Sequence, residues 1–395
     1  MGDWEWARLG DVCVGVVTNI AQKDLVNRNG VFPIYGASGL IKSVDFFIQS
    51  EPYIAVVKDG AGVGRVSRMP AQSSVIGTMQ SIIPNENILS DYLFYVMKRM
   101  DLARHFTGST IPHIYFKDYK NRKIPLPPLH IQRKIVDVLD ASNILIEKRK
   151  TQIDKLDMLV KSRFVEMFGD PVTNPMGWDT DRVGNLTENI IAGESLNGEA
   201  RLMLPGEKAV LKVSAVTYGY FKADEYKVLL NADEIKKNVY PKKGDLLFSR
   251  ANTREMVGAT ALVEKDYPDL ILPDKLWKLV LSSQVNSVYM KFALSSDTIR
   301  SVLSKLATGT SGSMYNVSMD KLRNIIVSVP PLPLQNRFAE FVRAADKSKF
   351  EMQQGLHKLE LLYKSLMQKC IKGEVLRNEK GLLTEEIAKK YCDKA

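Results

Sequence analysis

Cysteine and histidine are scarce: the 395-residue chain has three of the first and four of the second. Cys13, Cys370 and Cys392 are far apart and odd in number, so they offer neither a disulfide framework nor a zinc pattern. A reducing compartment is the expected setting. His105, His113, His130 and His357 have no metal-ligand spacing. His357 falls on a helix face expected to be solvated, and His105 and His113 flank a turn among cations. Long apolar runs are missing too, and none approaches the roughly 20 residues that cross a bilayer. The opening Met1-Gly-Asp-Trp-Glu-Trp is acidic and aromatic, unlike a secretory signal. Trp6 stands where a myristoylation frame wants Ser or Thr, and Cys392-Asp-Lys-Ala lacks the aliphatic pair of a prenylation frame. The expected location is the cytoplasm.

Acidic charge is short as well. Against 55 Lys and Arg stand 45 Asp and Glu, a net charge of +10. Such an excess favours a polyanionic partner, because cations that neutralise phosphates release counterions. Catalytic motifs are absent. No Gly-x-x-x-x-Gly-Lys-Ser/Thr cradle for nucleotide phosphates occurs, nor a Pro-Asp followed by Glu-x-Lys, the common nuclease metal site. The Pro-Pro pairs lack the preceding Asn, Asp or Ser and the following aromatic ring of an amino-methyltransferase loop: Leu126 and Leu129 flank one, Val329 and Leu332 the other. The one Gly-rich loop, Asp59-Gly-Ala-Gly-Val-Gly64, is followed by Arg65-Val-Ser, which reads as strand, so we take it as a hairpin turn that allows close backbone approach.

What is present comes twice. Trp4-Glu-Trp-Ala-Arg-Leu-Gly-Asp answers Trp178-Asp-Thr-Asp-Arg-Val-Gly-Asn, each read as a Trp before a helix-opening stretch. Thr107-Gly-Ser-Thr answers Thr308-Gly-Thr-Ser, and Ile124-Pro-Leu-Pro-Pro-Leu answers Val327-Ser-Val-Pro-Pro-Leu. Gln132 and Gln335 then open two long helices of about 38 residues, roughly 55 Å each. Alternating steps of four and three give one apolar seam through Ile135, Leu139, Ile146, Ile153, Leu156 and Val160. A second runs through Phe338, Val342, Met352, Leu356, Leu359 and Leu366. A stripe of period 3.5 is a coiled-coil pattern, and two seams in one frame favour antiparallel pairing with each other. Charged entries such as Arg149 and Lys349 are staggered between the seams, so that long stems cover the gaps.

Between Trp and Pro-Pro lie short β-rich runs (Tyr53-Ile-Ala-Val-Val, Gly64-Arg-Val-Ser, Asp245-Leu-Leu-Phe-Ser, Leu276-Trp-Lys-Leu-Val) and a late helix, expected over 91–104 and 287–306. The fold class is therefore α+β: two pseudo-symmetric α+β domains separated by two long helices that pair as an antiparallel coiled coil. The expected boundaries are 1–129, 130–168, 169–332 and 333–373, with a charged tail over 374–395 whose Leu382-Leu-Thr-Glu-Glu-Ile-Ala-Lys-Lys reads as a short helix.

The duplicated Pro-Pro-Leu-x-x-Gln boundary, the junction Met167-Phe-Gly-Asp-Pro-Val-Thr-Asn-Pro-Met-Gly-Trp178 and the two Thr-Gly turns closely resemble the specificity subunit of type I restriction–modification systems, over essentially the whole length. The resemblance implies a subunit without a catalytic centre. Each globule would be a target recognition domain reading one half of a bipartite site in double-stranded DNA, with the helices fixing the spacer. It further implies two methylation subunits that use S-adenosylmethionine, and motor–nuclease restriction subunits that use ATP and magnesium. No cofactor is expected in this chain itself, and no membrane partner.

The DNA-contact candidates of the first domain are Lys58, Arg65, Arg68, Arg104, His105, Thr107, Ser109, Thr110 and His113. Those of the second are Lys212, Lys242, Lys243, Arg250, Asn252, Arg254, Thr308, Thr310, Ser311 and Asn316. They are cations and small polar side chains in turns, the groups that grip phosphates and read base edges. Two competing readings are a single-chain modification or restriction enzyme, which the absent motifs disfavour, and a coiled-coil scaffold that reads no bases.

Overall fold

The protein is described from a computed structural model over residues 4–105, 112–231, 235–309 and 314–372. The described residues form two compact units, one within 4–151 and 352–372 and the other within 152–351.

In the first unit, strands β1 (Cys13–Val17), β2 (Tyr53–Val57), β3 (Val66–Met69) and β4 (Met79–Pro84) make an antiparallel sheet in the order β1-β4-β2-β3. All five residues of β2 are buried, as an apolar β-branched run at the centre of a sheet should be. The Gly-rich loop is the β2–β3 hairpin. Its Gly64 sits at φ +80 where a Cβ would stand 2.4 Å from the backbone N of Ala103, so the close approach is to the chain itself. Helix α1 (Ser90–Arg99) and the first half of helix α2 (Leu129–Phe168) close the core. The late helix ends earlier than its pattern suggested, because Asp101 takes a left-handed φ of +49 and a short 3-10 turn, Leu102–His105, follows.

The second unit repeats the sheet with other residues. Strands β5 (Thr187–Ala192), β6 (Leu246–Ser249), β7 (Thr260–Leu262) and β8 (Leu276–Leu281) pair antiparallel in the order β5-β8-β6-β7. Here the expected helix over 287–306 is two: α3 (Ser287–Leu294) and a separate Asp297–Leu306. Ser296 breaks it by capping the second piece, its hydroxyl accepting from the Ile299 N–H at 3.3 Å. The Trp-led repeats also differ from expectation. Each runs first as a short strand, Glu5–Arg8 against Lys123–Leu126 and Thr180–Arg182 against Ile326–Ser328.

Helix α2 and helix α4 (Leu332–Lys372) each contribute to both units and pack together antiparallel within each. In the first unit Ile135 and Leu139 share a core with Leu366, Cys370 and Ile371. In the second, Phe164 and Phe168 of α2 meet Phe338 of α4 at 5.5 and 5.4 Å between ring centroids. The 3.5-residue period accounts for this, since it keeps one stripe of each helix turned to its partner. The charged entry Lys349 is neutralised across the pair by Asp157, with Nζ 2.6 Å from both carboxylate oxygens.

The Gln of the duplicated Pro-Pro-Leu-x-x-Gln lies inside each helix, three residues after its start, and is wholly buried. Gln132 accepts from the Leu89 N–H at 2.8 Å and donates to the carbonyls of Pro127 (2.8 Å) and Asn87 (3.0 Å). Gln335 accepts from the Asn286 N–H at 2.8 Å and donates to Pro330 (2.7 Å) and Gln284 (3.3 Å). One amide thus ties the start of a long helix to the start of the late helix in each unit. A buried tyrosine repeats as well: Tyr92 donates to the Pro125 carbonyl at 3.0 Å, and Tyr289 to that of Ser328 at 2.7 Å.

Candidate nucleic-acid interface

Where the central strand of each sheet ends, the chain meets the segment leading to the Pro-Pro boundary. In the first unit the Ile114 N–H donates to the Lys58 carbonyl at 3.0 Å, and the Lys58 N–H to that of Thr78 at 2.9 Å. In the second the Val317 N–H donates to the Arg250 carbonyl at 2.9 Å, and the Arg250 N–H to that of Lys275 at 3.0 Å. Lys58 and Arg250 are therefore structural equivalents, as are His113 and Asn316, which each stand fourteen residues before the Pro-Pro pair of their unit.

Around Lys58 the side chains form a compact group. Asp59 takes the Lys58 ammonium at 3.2 Å and Nδ1 of His113 at 2.6 Å. Tyr115 lies under both Lys58 and Lys117, 5.8 and 5.5 Å from its ring centre, contacts of cation–π length. The other candidates of this unit stand apart in their bonding. Arg65 donates to the Ala37 carbonyl at 2.7 Å, and exposed Arg104 pairs with Asp101 at 2.5 Å. Arg68 is committed to Asp91 on α1 and Asp140 on α2, both at 2.9 Å, with Phe94 and Tyr95 beneath it. It braces the two helices. Thr107, Ser109 and Thr110 lie outside the described residues, as does the side chain of His105.

In the second unit, candidates from distant parts of the chain converge. The pair Ala251–Asn252 hydrogen-bonds as a strand to Tyr315–Asn316, and Thr308 bridges to Asn316. The Arg250 guanidinium donates through Nε to the Asp274 carbonyl and through Nη2 to the Asp274 carboxylate, both at 2.9 Å, and reaches the Asn316 side-chain oxygen at 3.5 Å. Arg254 is exposed over the Tyr315 ring at 5.0 Å. Asn252 donates to the Thr217 hydroxyl at 3.2 Å, which joins this group to an exposed turn carrying Tyr218 and Tyr220, with Lys222 over both rings. Lys212 faces Glu225 at 3.5 Å. That carboxyl is held below the ordinary range first by the Ser214 hydroxyl and then by Lys212. Lys242 and Lys243 are exposed and join no ion pair among the described residues. Thr310 and Ser311 lie outside the described residues.

Reasoning from sequence missed Asp59, Tyr115, Lys117, Tyr218, Tyr220, Lys222, Asp274 and Tyr315. A local signal was carried by the Tyr-Phe-Lys triad, which occurs both at Tyr115-Phe-Lys117 and at Tyr220-Phe-Lys222. Among the described residues, no group of three or more His, Cys, Asp and Glu side chains is arranged to hold a metal ion, and no helix is long and apolar enough to cross a membrane.

Known proteins are similar to this chain in sequence and in fold. The chain is 25% identical to the type I restriction enzyme MjaVIII specificity subunit of Methanocaldococcus jannaschii, over 94% of this chain and 93% of that one. It is 27% identical to the EcoEI specificity subunit of Escherichia coli over 54% of this chain, a match that spans only 38% of that relative's length. In structure it is similar to the S subunit of the type I restriction–modification system of M. genitalium, with a TM-score of 0.57 at 14% identity over 94% of this chain and 97% of that one. The family model of the type I restriction modification DNA specificity domain matches residues 1–157 and 175–361. With that match over most of its length, and its sheet and glutamine clamps built twice, the chain belongs to the type I restriction modification DNA specificity domain family.

Proposed function

We propose that this chain is the DNA-reading subunit of a type I restriction–modification complex, in which each unit recognises one half of a bipartite site. The observation that carries the reading is the pair of equivalent positions, Lys58 with His113 and Arg250 with Asn316. The backbone bonds there are the same in both units and the cationic side chains differ. A repeated frame with different polar fillings suits two half-sites of different sequence. Phosphate contacts from exposed cations such as Lys242, Lys243 and Arg254 would supply affinity, and base-edge contacts the sequence.

The chain acts as reader and scaffold rather than as catalyst. Methylation subunits carrying S-adenosylmethionine would dock on the long helices, where Ile144, Met158, Leu159 and Val165 of α2 leave apolar surface exposed. Restriction subunits would add ATP- and magnesium-dependent cleavage, and the cytoplasm is where such a complex meets DNA. The helices would fix the spacer.

The test is to sequence adenine methylation in DNA from cells expressing this chain with its methylation subunit. An interrupted two-part motif that disappears without this chain is the expected result. A soluble assembled complex that leaves no motif refutes the reading. Arg250→Ala should change one half of the motif and leave the other intact. Equal loss in both halves would show that readout is not local to a unit.

A further inference from the structure

Resting on that reading, we propose that Arg250 reads a guanine in the half-site of the second unit, and that Asp274 is the positioning residue that sets its guanidinium. An arginine has five N–H donors in a rigid plane. Asp274 occupies the side edge: its carbonyl takes Nε and its carboxylate takes Nη2, both at 2.9 Å. The Asn316 oxygen lies at a long 3.5 Å from Nη1. The end edge, with one parallel N–H on each η nitrogen, is held at most by that long Nη1 contact, which a ligand can displace, and the side chain is 29% exposed. A parallel donor pair fits a planar pair of acceptors, and in the major groove that pair is O6 and N7 of guanine.

A backbone phosphate is the other planar acceptor available, and the charge balance argues against it. Arg250 and Asp274 together are neutral, so they attract a phosphate weakly, whereas the hydrogen-bonding face of the guanidinium is undiminished toward a neutral base. Exposed Lys242 and Lys243, outside any ion pair among the described residues, are the groups suited to phosphate. The same economy appears at the equivalent position of the first unit, where Lys58 is neutralised by Asp59 at 3.2 Å. The brace has a different origin in each. Asp59 is the next residue in the chain, while Asp274 arrives from the start of β8, where the first unit has Gly77. Position is shared and chemistry is not, as expected of the residue that makes two half-sites differ.

The test uses the complex of this chain with its methylation subunit and duplexes carrying the motif found by methylation sequencing. Each guanine of both half-sites is replaced in turn by 7-deazaguanine, which lacks N7, and by inosine, which alters only the minor-groove amine. One guanine should respond to 7-deazaguanine and not to inosine, losing about 5- to 150-fold in affinity, the span of a good bidentate contact. With Arg250→Lys, which retains the charge, that same replacement should cost less than about 3-fold. Asp274→Asn should relax preference at that base pair alone and, by leaving the Arg250 charge uncompensated, raise rather than lower binding to random DNA. Three results overturn the proposal: a motif in which no guanine responds; a response that persists in Arg250→Lys; or an Arg250→Lys loss that is uniform across sequences, which assigns the side chain to a phosphate. Failure of the underlying reading looks different, since the complex would then bind specific and random duplexes equally.

Discussion

Removing the Gln132 side chain should cost the first unit about 3 kcal/mol, although Gln132 touches no ligand. In Gln132→Ala the half-buried Leu89 N–H loses its acceptor, at about 2 kcal/mol for an orphaned donor. The carbonyls of Pro127 and Asn87 each lose a donor, at about 1 kcal/mol apiece. The lost packing adds about 1 kcal/mol, and the rotamer entropy that the glutamine no longer forfeits returns about 2. At about 2 to 4 °C per kcal/mol for a unit of this size, the calorimetric transition should fall by roughly 6 to 12 °C. Hydrogen exchange locates the effect, because the Leu89 amide should lose protection while amides of the second unit keep theirs. Gln335→Ala should do the converse at Asn286. Gln132→Leu fills the space but leaves the same groups orphaned, so it should recover little. A shift under about 2 °C, no larger than that of exposed Arg133→Ala, would refute the account and make the duplicated glutamine a surface relic.

Three other perturbations have definite outcomes. Gly64→Ala and Gly60→Ala both force a side chain into left-handed backbone, at about 1 to 2 kcal/mol. Only Gly64 would also meet the Ala103 backbone, so chemical denaturation should find it at least twice as damaging. Burial pushes the Lys291 ammonium down to about 8 from its ordinary 10.5. Between these values the unfolded chain holds a proton that the fold has released, so this group makes stability rise with pH. Buried Cys13 and Cys370, pushed up to about 12, slope the other way. The test is therefore the difference between wild type and Lys291→Met, which should grow in favour of wild type from pH 8 to 10. Deleting one heptad from both long helices, about 10 Å of rise, should change the spacer of the methylated motif or abolish methylation; an unchanged spacer would refute the ruler role.

Period and punctuation made the frame legible before any coordinates. The 3.5-residue seam of the long helices follows from hydrophobic spacing alone, and the buried strand Tyr53–Val57 from a β-branched run beside a Gly-rich turn. What escaped was set by single side chains or by distance in the chain. The helix expected over 287–306 breaks because Ser296 caps a new start, although its apolar pattern runs on. The openings after Trp4 and Trp178 are strands because partners more than a hundred residues away pair with them. Asp274 could not be linked to Arg250 by spacing, since 24 residues and a change of strand separate them. Candidate residues were recognisable as types, and their grouping was not.

The manner in which the frame is held bears on how two recognition domains can diverge while their architecture stays the same. Gln132, Gln335, Tyr92 and Tyr289 all bond main-chain groups. Every residue supplies a carbonyl and nearly every one an amide, so the neighbours of these clamps can be exchanged without loosening them. The equivalence of Lys58 and Arg250 is fixed in the same way, by backbone N–H groups on either side of that position. A side chain mounted on such a frame is free to change from lysine to arginine, and its carboxylate brace to move from Asp59 to Asp274, without a compensating change in the core. A domain whose core depended on interlocking side chains at the interface would have no such freedom, since each new specificity would disturb its stability.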